Sequence, residues 1–272
     1  MLKNNKLKIG RIPYANLFPI FYYLDKKCDN SDYRFIKGVP SKVNRMLREG
    51  EIDVSPSSSI EYLRNKDKYL VLPWFSISSS GPIKSILLFS KCPIDELGGK
   101  TIAISSESET SIMLLKIILK EFFSLDCRFE QESRRSVRNI LTSFPAMLHI
   151  GDTAMIEAHK LSLNERLQSS MYVYDLGELW DKYTGLPFVF ALWVVRKQAA
   201  EEKGDLIRKL SDDLIKAGKF ASRKFKMIAW EAPLNKSLSE KELVEYWKLI
   251  SYDFSEKQLE GLNLFEKYAK RL

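Results

Sequence analysis

The chain has 272 residues, enough for one large domain or two modest lobes, and its 45% apolar and 29% charged residues exclude a mainly disordered protein. Lys and Arg number 43 against 35 Asp and Glu, and the resulting net charge of +8 suits an anionic partner without saying which. Three scattered cysteines, Cys28, Cys92 and Cys127, with no CxxC, indicate no disulfide framework or zinc site and point to a reducing, cytoplasmic compartment.

The start, MLKNNKLKIG, has no apolar h-region, so no secretory signal peptide is expected. A strand is predicted over 8–12 and an apolar helix over 17–24, then a second strand over 33–37. Val43, Met46 and Leu47 give helical spacing within 39–49, and Gly50 supplies a stop. A short strand over 52–54 runs into the polar cluster 55–59, SPSSS, and Ile60 and Leu63 open another helix. This β-α-β-α rhythm predicts a parallel sheet covered by helices.

The apolar run 85–89 reads as a central strand, and the pattern begins afresh after Cys92-Pro93. A turn over 95–99, a strand over 101–105 and a helix over 110–123 follow, then strands over 146–150 and 172–176. An aromatic segment, 180–193, precedes an almost wholly helical tail, 201–272. No apolar run approaches the roughly 20 residues of a membrane span. The tail mixes Lys with Glu, the pattern of solvated helix faces, so neither a nucleic-acid nor a membrane partner is expected.

Serines, threonines and glycines gather in three places, each predicted to follow a strand: SPSSS, SISSSG (76–81) and SSESETS (105–111). In open α/β sheets ligands bind outside the carboxyl ends of the strands, and hydroxyls with free N–H groups at a helix start suit a carboxylate or phosphate. Ser108 or Thr110 would also serve as an ordinary helix cap, worth about 1 kcal/mol. Asp152, ending a buried strand in HIGDTAM, either faces a cleft or caps the next helix. Asn16, in PYANLFP, would grip a hydroxyl, orient a carboxylate or cap a helix. Trp180, Trp193, Phe188 and Phe190 read as core. His149 reads as buried and His159 as exposed, and neither has a ligand set, so no metal or cofactor is expected. GxSxG, P-loop, GxGxxG and HExxH motifs are all missing.

Seven segments then occur in order: KIGRIPYANLFPIF, GEIDVSPSSSIEY, SISSSGPIKSILLFS, TIAISSESETSIMLLK, IGDTAM, YDLGELW and TGLPFVFALW. Together they resemble the chorismate dehydratases of the futalosine route to menaquinone, over roughly residues 8–196. The sister family, the 1,4-dihydroxy-6-naphthoate synthases, opens with a CPND-type segment and relies on a histidine, neither found in the corresponding stretches. The resemblance implies an α/β, two-lobed fold of the type II periplasmic-binding-protein kind, each lobe a mostly parallel sheet flanked by helices around a cleft. One lobe is expected to hold 1–90 plus 188–272 and the other 91–187.

It also implies a hydro-lyase that eliminates water from chorismate, a small dicarboxylate, to give 3-[(1-carboxyvinyl)oxy]benzoate, working as a monomer or homodimer. Asn16 falls on the family's active-site asparagine and Ser85 on its substrate-binding serine, with Ser108, Thr110 and Ser111 matching its Ser-x-Thr-Ser segment. Ser57 and Ser58 are expected to line the cleft. None of these groups titrates near pH 7, so the substrate's own enolpyruvyl carboxylate is the expected base, with Asp152 as its rival. Tyr14-Ala15-Asn16 stands where the family more often has Tyr-Leu-Asn or Phe-Leu-Asn, which bears on pocket shape. A non-catalytic solute-binding protein for a small carboxylate is the competing reading, since fold does not fix function.

Overall fold

The first strand, β1 (Leu7–Arg11), buries Leu7 and Ile9 completely, and Gly10 lets a helix and a neighbouring strand close on it. A Cβ on Gly10 would lie 2.6 Å from both Ser55 Cβ and Val43 Cγ1, so no other residue fits between β3 (Val54–Ser58) and α2 (Pro40–Arg48). β2 (Tyr33–Lys37) and β3 flank β1 in parallel. The structure, a computed structural model, describes residues 6–105, 108–133, 136–165 and 169–272, so Ser106 and Glu107 of the third polar cluster lie outside it.

Two five-stranded sheets share one plan. The first runs β2-β1-β3-β10-β4, where β4 (Tyr69–Ser79) and β3 both pair antiparallel with β10 (Phe188–Arg196). The second runs β7-β6-β8-β5-β9, with β6 (Thr101–Ile104) parallel to β7 (Arg128–Gln131) and β8 (Ala146–Ile150). β5 (Ile86–Ser90) opposes β8 and β9 (Tyr172–Asp175). Each sheet is thus parallel but for the one strand by which the chain enters or re-enters it. β5 belongs to the second sheet, so the chain changes sheets between Ser79 and Ile86, whereas the sequence expectation kept residues up to 90 with the first.

Helices follow the strands: α1 (Phe18–Lys26) after a 3₁₀ turn (Ala15–Leu17), α2, α3 (Ser59–Arg64), and α4 (Glu109–Ile117), which runs on as a π-helical turn to Phe122. Then come α5 (Val137–Ile140), α6 (Gly151–Ser162), α7 (Leu176–Thr184), α8 (Lys197–Glu202), α9 (Gly204–Trp230), α10 (Glu240–Leu249) and α11 (Glu256–Ala269). Ser239 and Ser255 start the last two with capping boxes, each worth about 1 kcal/mol. α9 packs along α1 and α10, so the helical tail closes over the first sheet. Trp180, Trp193 and Phe188 are buried as expected, with Phe188 edge-on to Trp180 at 5.1 Å and to Phe265 at 5.0 Å.

Two of the three polar clusters are not strand ends. Ser55–Ser59 is largely β3 itself, and Ser76, Ser78 and Ser79 belong to β4. Ser76 and Ser78 donate to the carbonyls of Asp253 (2.5 Å) and Ser251 (3.3 Å), and Ser55 shares a 2.7 Å hydrogen bond with Ser57. Polar hydroxyls survive in these buried strands because the tail and their neighbours satisfy them.

Candidate active site

The carboxyl ends of β1, β3, β6 and β8 face one another across a cleft between the sheets, the place where open α/β sheets take ligands. The cleft is tight, with a cavity of about 80 Å³ behind an open mouth. Ile12, Leu17, Pro40, Ile77, Ile83, Ile86, Ile150 and Phe190 make most of its wall, and Asn16, Ser58, Ser85, Ser108 and Ser111 break it with polar atoms. None of the described residues lining it is charged.

Helix starts border this space from both sides. Ser58 precedes α3 without a capping bond of its side chain, Asn16 sits in the turn that leads into α1, Ser108 caps α4 and Gly151 opens α6. The N-terminal ends of helices carry partial positive charge, so the cleft favours an anion without an arginine or lysine. Gly151 has φ +59°, and a Cβ there would stand 3.1 Å from the Tyr14 ring. Glycine therefore lets α6 begin against the cleft wall.

The polar groups are oriented. The buried Tyr246 hydroxyl, on α10, donates to Ser85 Oγ at 3.0 Å, which leaves the Ser85 proton free to point into the cleft. Burial raises the Tyr246 phenol well above its ordinary range, so it stays a donor. Ser108 Oγ accepts from Ser111 N–H (3.3 Å) and lies 3.1 Å from Ser111 Oγ. Asn44 Nδ2 donates to Ser58 Oγ at 3.1 Å. The Asn16 amide oxygen is buried with no hydrogen-bond partner among the described residues, an acceptor facing a cavity.

Of the residues singled out in the sequence, Asn16, Ser58, Ser85, Ser108 and Ser111 meet here, whereas Ser57, Thr110 and Asp152 do not line the space. Ser57 is turned to Ser55 inside the sheet. Thr110 Oγ1 accepts from Ile60 N–H at 3.0 Å and Asp152 Oδ1 from Ala15 N–H at 2.9 Å, so both reach across to the opposite lobe. His149 is buried edge-on to Phe89 at 6.0 Å. His159 is partly covered rather than exposed, its Nδ1 lying 2.7 Å from Glu242 Oε1.

Sequence reasoning missed the residues that support the site. Tyr246, Trp247 and Tyr252 come from the helical tail more than 160 positions from the groups they hold. Asp175 was missed too. Its buried carboxylate accepts from Ile83 N–H (2.9 Å) and Lys84 N–H (2.6 Å) in the crossover, and from Gly177 N–H (2.9 Å) and Glu178 N–H (3.3 Å) at the start of α7. It anchors the segment that delivers Ser85. An aspartate just before a helix was the one available signal, and it announces only a cap.

A family model described as menaquinone biosynthesis matches residues 7–271. A chorismate dehydratase of Thermus thermophilus is 34% identical over 70% of this chain and 70% of its own length, and one of Campylobacter jejuni is 31% identical over 70% and 68%. A 1,4-dihydroxy-6-naphthoate synthase of Thermus thermophilus is 23% identical over 62% and 57%. Among solved structures, the periplasmic aliphatic sulphonate binding protein SsuA from Escherichia coli superposes with a TM-score of 0.68 at 14% identity, covering 98% of this chain and 86% of that one. The fold is that of periplasmic binding proteins, as the sequence implied. No helix among the described residues is long and apolar enough to cross a membrane.

Proposed function

The chain belongs to the menaquinone-biosynthesis family, and from that premise we propose that it is a chorismate dehydratase, a hydro-lyase giving 3-[(1-carboxyvinyl)oxy]benzoate and water. The observation that carries this reading is the convergence of Asn16, Ser85, Ser108 and Ser111 on one cleft, bordered by helix N-termini, whose lining among the described residues carries no charge. Such a cleft suits a small dicarboxylate held by neutral donors.

In the proposed arrangement Ser108, Ser111 and the first N–H groups of α4 hold the ring carboxylate. Ser85, with its proton turned inward, and the Asn16 amide N–H hold the enolpyruvyl carboxylate, while the Asn16 oxygen accepts from the neighbouring ring hydroxyl. The C–H bond at the ether-bearing ring carbon breaks, and its electron pair forms the third ring double bond as the C–O bond to the hydroxyl breaks. The enolpyruvyl carboxylate takes the proton and returns it to the departing hydroxide as water. Aromatisation drives the step, so the protein's work is orientation. With no lysine or arginine among the described lining residues, no full positive charge pairs with that carboxylate, and the apolar wall offsets part of what its neutral donors take from its basicity.

Incubating the protein with chorismate and following product by chromatography tests this. The expected result is stoichiometric conversion, with Asn16→Ala slowing turnover about 100-fold or more. Chorismate that binds without being consumed would identify a solute-binding protein instead, and full turnover by Asn16→Ala would remove the proposed orientation.

A further inference from the structure

The turn that carries Asn16 is held at three main-chain polar groups by side chains from distant parts of the chain. Asp152 Oδ1, on α6 of the second lobe, accepts from Ala15 N–H at 2.9 Å. Trp247 Nε1–H donates to the Ala15 carbonyl at 2.8 Å, and the Tyr252 hydroxyl donates to the Asn16 carbonyl at 2.7 Å. Leu17 N–H closes the turn onto the Tyr14 carbonyl at 3.1 Å. Both peptide groups around the asparagine are therefore fixed from within the first lobe, and the Tyr14–Ala15 peptide just before them is fixed from across the cleft.

The cross-lobe bond has a counterpart. Thr110, second residue of α4, accepts from Ile60 N–H, second residue of α3, as Asp152, second residue of α6, accepts from Ala15. Helix starts that face each other across a cleft repel through their dipoles and leave N–H groups unpaired. An acceptor side chain placed between them relieves both, and only when the lobes are together.

From this we infer that Asp152 is a positioning residue rather than the base: on lobe closure it seats the Tyr14–Ala15 peptide, the entry to the turn that carries Asn16, and so makes the Asn16 amide competent only in the closed state. The inference rests on the dehydratase reading for its kinetic consequence, not for its geometry. A neutral amide oxygen serves the same purpose as the carboxylate, because the partner is a main-chain N–H. A base, by contrast, loses its function on amidation.

The test compares Asp152→Asn with Asp152→Ala. Steady-state kinetics on chorismate are expected to show Asp152→Asn within about 5-fold of wild type, with the shape of the pH–rate profile unchanged. Asp152→Ala is expected to lower kcat about 30- to 100-fold with KM altered less than about 3-fold, the scale of a 1 Å misplacement. Hydrogen exchange of a peptide spanning 13–18 supplies a readout independent of turnover. Asp152→Ala should speed exchange at Ala15 about 10-fold or more, and Asp152→Asn less than about 3-fold. Equal loss of activity in both variants, with an acid limb missing from the profile, would make Asp152 the base and overturn the inference. So would Asp152→Ala exchanging at the wild-type rate. If wild type leaves chorismate untouched, the dehydratase reading fails while the exchange comparison still decides the positioning role.

Discussion

Replacing Asp175 by Asn perturbs the anchor of the crossover without changing its size. The two carboxylate oxygens accept four main-chain N–H groups, one oxygen serving Ile83 and Lys84 and the other Gly177 and Glu178. An asparagine keeps one oxygen and presents an NH₂ to the other pair, so two buried donors lose their acceptor. At about 1–3 kcal/mol each, two orphaned donors cost about 2–6 kcal/mol. The variant also relieves the burial of a charge, which pushes the Asp175 carboxyl above its ordinary value. That relief brings the expected loss to about 2–4 kcal/mol, read in urea unfolding or as a Tm about 5–12 °C lower. Ser85 is the residue after Lys84, whose φ of +59° is held by this bond, so kcat/KM on chorismate should fall about 10-fold. A loss below about 1 kcal/mol with wild-type kcat/KM would refute the idea that this carboxylate sets the crossover.

Trp247→Phe keeps the ring packing and strips the donor from the Ala15 carbonyl, so thermal unfolding should show about 1–2 kcal/mol of lost stability and turnover should drop with it. Gly151→Ala puts a Cβ 3.1 Å from the Tyr14 ring at a φ of +59°, which should cost about 1–2 kcal/mol by urea titration and raise KM for chorismate several-fold. Glu242 is held below its ordinary 4.5 by the Ser239 hydroxyl and N–H and by His159. A lowered carboxyl contributes stability above its unfolded value and loses it as pH falls through the folded one. The pair is partly exposed, so Glu242→Gln should cost about 0.5 kcal/mol at pH 7, a cost that fades as pH falls below 4.5 in parallel melts.

How much of this was legible depended on whether the deciding contact was local. β1, β2, α2 and β8 follow from apolar periodicity and their stops, which the sequence displays within ten residues. β4 escaped because Pro73 and Trp74, the latter at φ +67°, break its alternation, and because Ser76, Ser78 and Ser79 look like a turn. They are strand residues only because β10 and residues 251–253 cover and satisfy them. In the site, Ser85 was legible through the family pattern alone, whereas Asn16 also stood out by its place between the first strand and an apolar helix. Asp152 and Thr110 looked like either caps or ligands, and each instead accepts an N–H from the facing lobe, a role that no sequence neighbourhood encodes.

The place of β10, inserted between β3 and β4, has a consequence for synthesis. Every strand of the second sheet has left the ribosome by Asp175, while the first sheet still lacks the strand that joins its two pieces. The lobe begun later is thus complete earlier, and the nascent first lobe must wait, edges open, until Arg196 emerges.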